Sequence, residues 1–166
     1  MTVDQKLPTC YNTDSFTKKD SMQFQVICKS KARRALIDSM VRVLIHELKL
    51  TRSRSFLTVR SEAGLAKKDQ MRGVVGPDPN DPSHIVMLLD SALSHETLVE
   101  TLCHEMVHVK QFALGQAKIK YRGKKATFHW LGKNIKVSYW DQPWEQDAWR
   151  REKVLASKIY KIIDSR

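Results

Sequence analysis

The sequence predicts an α+β domain with a mainly antiparallel sheet. Short runs of alternating apolar residues read as strands, and long stretches behind good caps carry apolar residues at helical spacing. Their order, β-α-β-β-β-α-(β)-α, groups three strands together instead of alternating them strictly with helices.

Residues 1–20 are polar and carry Pro8, Asn12 and Asp14, so they read as an irregular arm. Residues 22–27 alternate as a strand should. Ser30 then caps a helix over 31–49, with Ala35, Leu36, Met40, Val43, Leu44 and Leu48 on one face. A second strand is predicted at 55–60, followed by a polar connection over 61–70 and a short strand at 71–75. The run Gly76-Pro77-Asp78-Pro79-Asn80-Asp81-Pro82 is a loop. Residues 84–90 form an apolar strand, either buried or at an edge. Ser94 caps a long helix that Gly115 ends. Residues 118–121 and 127–137 suggest a hairpin, and Pro143 opens a final helix carrying Trp144, Ala148, Trp149, Val154, Leu155, Ile159 and Ile162.

With 166 residues and no repeat or long linker, one domain spanning 1–166 is expected. At 42% hydrophobic and 28% charged residues, the composition argues against disorder. No apolar stretch approaches the roughly 20 residues of a membrane span, and the N-terminus lacks a signal-peptide run. A cytoplasmic protein is expected. Cys10, Cys28 and Cys103 are odd in number and widely spaced, which fits reduced structural thiols.

Net charge is +11, which favours anionic partners. The excess concentrates after Met106, where no acid occurs before Asp141 while Lys110, Lys118, Lys120, Arg122, Lys124, Lys125, Lys133 and Lys136 do. This stretch, 110–136, is either a solvated basic surface or a nucleic-acid contact.

The chemistry lies in His104-Glu105-Met106-Val107-His108. Positions i and i+4 of a helix share a face, so two imidazoles there can bind one zinc ion. Glu105, turned away by about a quarter turn, is placed to act as general base towards a water on the metal. With 6 His and 7 Glu in the chain, chance produces this pattern in only about one such sequence in a hundred. His46-Glu47 and His95-Glu96 are internal controls, since Leu50 and Val99 stand where a second histidine would be needed.

A catalytic zinc also needs a third protein ligand. The candidates are Glu145, Asp141, Asp147, Glu152, His129 and His84. Glu145 is preferred because it begins a helix directly after Pro143, and Trp144 and Trp149 can anchor that helix. His129 is its main rival. Tyr139, Tyr121, His129 and His84 are candidates to donate to a developing oxyanion.

The 104–108 motif, followed by Trp130-x-Gly132-Lys133 and Tyr139-Trp140-Asp141-Gln142-Pro143-Trp144-Glu145, resembles the small SprT-like metallopeptidases of phage and bacterial genomes. More broadly it resembles the gluzincin zinc peptidases. The likeness covers about residues 83–155. It implies a zincin-like domain, an active-site helix bearing the motif, a C-terminal helix bearing Glu145 as third ligand, and strand 84–90 as the sheet edge that receives substrate. The chain departs from SprT proteins in offering a glutamate where they use a third histidine. It departs from thermolysin-type gluzincins in carrying Trp149 where they place an aspartate. The partner orienting a ligand histidine then has to come from elsewhere, with Asp90, Glu100 and Asp147 as options.

The function expected is zinc-dependent hydrolysis of peptide bonds in a protein or peptide substrate, with Glu105 as general base. Two other readings stay open. One is a DNA-associated SprT-like protease acting on DNA-bound proteins, and the other is a non-catalytic basic nucleic-acid-binding module with a vestigial metal site.

Overall fold

The computed structural model of the chain describes residues 22–69 and 71–164. The expected arm over 1–20 and Cys10 lie outside the described residues. Among the described residues, seven strands, β1 to β7, and four α-helices, α1 to α4, follow in order: β1 Gln23–Ile27, α1 Lys31–Glu47, β2 Phe56–Glu62, α2 Leu65–Asp69, β3 Gly73–Pro77, β4 His84–Asp90, α3 His95–Ala113, β5 Ala117–Arg122, β6 Lys125–Trp130, β7 Lys133–Asn134 and α4 Pro143–Asp164.

The caps fall where the sequence placed them. Ser30 accepts from the Arg33 amide and Ser94 from the Thr97 amide, each satisfying a donor that the first helical turn leaves open. After α3, Gly115 takes φ 68° and its amide bonds the Phe112 carbonyl, which closes the helix.

The sheet differs from expectation. The larger sheet runs β1-β2-β4-β3, and its β1–β2 and β2–β4 pairs are both parallel. Only β3 is antiparallel to its neighbour; the small sheet β5-β6-β7 is antiparallel throughout. The physical reason is the crossover. The 17 residues of α1 carry the chain back to the starting end of β1, so β2 joins in the same direction. Strand β4 is an internal strand between β2 and β3, so the edge role expected for 84–90 belongs to β3. Residues 61–70 also hold α2, which the sequence showed only as a polar connection. The Asp90 carboxylate accepts from the Ala66 amide at 2.7 Å, capping that helix from 24 residues away.

One apolar cluster joins these parts. Leu57 and Val59 of β2 stand opposite Ile85 and Met87 of β4 on one face. Met40, Val41 and Leu44 of α1, Leu98, Leu102 and Met106 of α3, and Ala148, Leu155 and Ile159 of α4 complete the cluster. Val154, expected in the apolar stripe of α4, is exposed instead. Helix α3 packs on β3, β4 and α4, which sets its 104–108 turn between the sheet edge and the start of α4. No helix among the described residues is long and apolar enough to cross a membrane.

Candidate metal centre

Helix α3 places His104, Glu105 and His108 on consecutive turns, and α4 brings Glu145 to them from its first turn. Trp144, only 8% exposed, is the anchor. Its ring packs against Phe128 at 4.1 Å and against Trp130 at 6.1 Å between centroids, so the β5–β6 hairpin fixes the helix start.

The donor atoms converge. His104 Nε2 lies 3.1 Å from His108 Nε2 and 3.2 Å from Glu145 Oε2, and His108 Nε2 lies 3.3 Å from Glu145 Oε1. Zinc bonds of about 2.0–2.2 Å in a tetrahedron need donor separations of roughly 3.3–3.6 Å. The three groups therefore fit a zinc ion after a few tenths of an ångström of relaxation. Nitrogen, nitrogen and carboxylate oxygen is also a donor set that zinc accepts. Among the described residues these three form the only such cluster of potential metal ligands.

Each imidazole is oriented from behind. The Glu152 carboxylate accepts from His104 Nδ1 at 2.7 Å, which leaves Nε2 free to ligate. His108 Nδ1 donates to Gln111 Oε1 at 2.8 Å. The amide of Gln111 is fixed in turn, because its nitrogen donates to the Trp144 carbonyl at 3.0 Å and to Asp147 Oδ2 at 3.3 Å. None of the three expected options orients a histidine directly. Asp90 is committed to the Ala66 and Ala92 amides, Glu100 lines the cleft only, and Asp147 acts one step removed. Sequence alone gives Gln111 no role, and it offers Glu152 as a ligand candidate instead of the group behind one. The available signals were a polar residue three positions after His108 and a glutamate two helical turns after Glu145.

None of the other third-ligand candidates joins this cluster of donor atoms among the described residues. Asp141 accepts from the Ser138 hydroxyl, Asp147 pairs with Arg151, His84 bonds Thr58, and His129 faces Thr127 on β6. Cys103 is buried, and burial, followed by the nearby Glu152 and Glu100, pushes its thiol up to about 12, so it stays protonated. His46 and His95 are exposed on their helices, and Glu47 pairs with Lys158.

Electrostatics follow from this packing. Burial alone would lower His104, but hydrogen bonds to Glu145 and Glu152 outweigh it and raise the imidazole to about 9. His108 is raised in the same way, with burial opposed by Glu145 and Gln111. Burial works against the Glu145 carboxylate too, yet the two histidines hold it at about 2. Glu105, 7% exposed, is raised chiefly by burial.

An open cleft of about 780 Å³ lies over these groups, and residues 71–75, Tyr139, Trp140 and Trp149 are among those that line it. Of the four candidate oxyanion donors, Tyr139 lines this cleft and Tyr121, His129 and His84 do not. Trp140, 73% exposed, meets Tyr139 edge-on and Trp149 at a tilt, each at 5.5 Å between ring centroids. The basic residues of the hairpin, Lys118, Lys120, Arg122, Lys124 and Lys125, are all exposed. Compared with protein-family models, with curated proteins and with solved structures, the chain matches none.

Proposed function

We propose that this protein is a zinc-dependent peptidase in which His104, His108 and Glu145 hold the metal. The observation that carries the reading is the convergence of these three donors beside a buried glutamate on the floor of an open cleft. When bound, zinc supplies Lewis acidity, which eases ionisation of a water and polarises a carbonyl. The protein's own groups do the rest. Glu105 takes the proton from the attacking water and delivers it to the leaving nitrogen, so the carbon–oxygen bond forms and the carbon–nitrogen bond breaks. Burial raises the proton affinity of Glu105, which suits both transfers. Tyr139 lines the cleft, and we assign its hydroxyl as the donor to the carbonyl oxygen. Strand β3 pairs only with β4 among the described residues, so its open side can take an extended peptide as an added strand along 71–75.

Glu105→Gln tests this mechanism because it keeps the shape and cannot accept the proton. Zinc content should be unchanged and peptide hydrolysis should fall by about 10²–10⁴-fold. Undiminished hydrolysis in that variant would remove the mechanism.

A DNA-associated form of the same activity has one observation in its favour, the five exposed basic side chains clustered on the β5–β6 hairpin. The non-catalytic module has less support, since a purely structural metal site has no use for a buried glutamate beside its ligands.

A further inference from the structure

One residue of the sheet that comes close to Glu105 has no side chain. Gly73 opens the edge strand β3, opposite Leu89 of β4, and lies against α3. A Cβ built there would stand 2.8 Å from Thr101 Cγ2, 3.0 Å from Glu105 Cγ and 3.0 Å from Glu105 Oε1. Carbon atoms pack best at about 3.5–4.0 Å, so a methyl group does not fit without movement. Gly76, three residues further along the same strand, has nothing within 4 Å of the equivalent point. The close approach belongs to Gly73 alone. Nor is backbone conformation the reason for glycine, because Gly73 is not among the residues at positive φ.

We infer that Gly73 is a positioning residue for Glu105, its missing side chain leaving the space in which the carboxylate is held. Thr101 is buried and β-branched on a helix, so its methyl is confined to two χ1 settings. Strand β3 is pinned to β4 by its ladder, and α3 is packed against α1, α4, β3, β4 and β5. The group with room to move is the Glu105 carboxylate, which ends at the open cleft. A methyl at position 73 therefore displaces the base first. A shift of about 1 Å in a reacting group costs on the order of 10²-fold in rate. The catalytic consequence rests on the peptidase reading; the geometry does not.

Two contacts can be separated by mutation. Gly73→Ala meets both Thr101 and Glu105, whereas Gly73→Ala combined with Thr101→Ser removes Cγ2 and leaves only the contacts with Glu105. The double variant should fold, hold zinc as fully as the unaltered protein, and show a displaced Glu105 carboxylate in a crystal structure of the metal-free form. Its kcat on a reporter peptide should fall by about 10²-fold with KM little changed. Full kcat in the double variant, or an unmoved Glu105 carboxylate, overturns the inference. So does a rise in KM at constant kcat, which would assign Gly73 to substrate docking. A wild-type protein without peptidase activity removes the functional reading instead, and the displacement of Glu105 then judges the positioning role by itself.

Discussion

At the scale of residues, the site works through pairs. His104 is held by Glu152 and His108 by Gln111, so each imidazole presents Nε2 without searching rotamers. His104→Ala or His108→Ala should abolish stoichiometric zinc, and Glu145→Ala should weaken it strongly, as elemental analysis of purified variants will show. Retained zinc in Glu145→Ala with loss in His129→Ala would move the third-ligand role to His129. Glu152→Gln is the subtler test. It keeps a hydrogen-bond acceptor but removes the charge that makes His104 a better donor. Zinc affinity should fall by roughly 10–100-fold, measured by competition with a chelator, and an unchanged affinity would reduce Glu152 to a surface acid.

At the scale of elements, the start of α4 decides whether Glu145 arrives at all. It is set by Trp144 against Phe128 and Trp130, and by the Gln111 amide on the Trp144 carbonyl. Trp144→Ala should cost about 3–5 kcal/mol of stability by urea unfolding, as loss of a buried aromatic ring does. Zinc affinity should drop in the same variant, because the helix start loses its anchor. Equal zinc affinity before and after would show that Gln111 and Asp147 alone hold the helix. The hairpin that receives Trp144 also carries the basic cluster, so charge and site share one element. Reversing Lys118, Lys120 and Lys125 to glutamate should abolish any salt-dependent DNA binding and leave zinc in place. Such binding should fall with salt at a log–log slope of about −0.7 to −0.9 per phosphate contacted. Binding that survives the reversal would exclude the hairpin as the contact.

At the scale of the whole molecule, the proposed metal and the proton would compete for the same groups. In the metal-free protein His104 is raised from its ordinary 6.5 to about 9, so its contribution to stability is complete below 6.5 and is lost as pH rises through 9. Glu145 is lowered from 4.5 to about 2, so its contribution is complete above 4.5 and is lost as pH falls through 2. Both are fully present between 4.5 and 6.5. Zinc requires neutral imidazoles, so its uptake at neutral pH must displace protons. Titration calorimetry at pH 7 in buffers of different ionisation enthalpy should detect that release, and the thermal stabilisation by zinc should grow from pH 6 to pH 9. A binding enthalpy independent of the buffer would mean that the histidines are already neutral.

By itself the sequence determined the elements that depend on neighbours in the chain. Ser30, Ser94, Gly115 and Pro143 mark helix ends because caps and stops act within a turn, and the 104–108 spacing puts two imidazoles on one face because a helix repeats at 3.6 residues. Glu145 was legible for the same reason, as the residue fixed by a helix start. Tertiary structure decided what depends on distant partners. Strand direction follows from where a crossover returns the chain, so the parallel core and the edge position of β3 could not be read from alternation alone. Asp90 caps α2 from another element, and Glu152 reaches His104 across 48 residues. Gly73 shows the same limit most plainly: the lack of a side chain has no pattern in sequence, and it acquires meaning only where the strand comes within contact distance of Glu105.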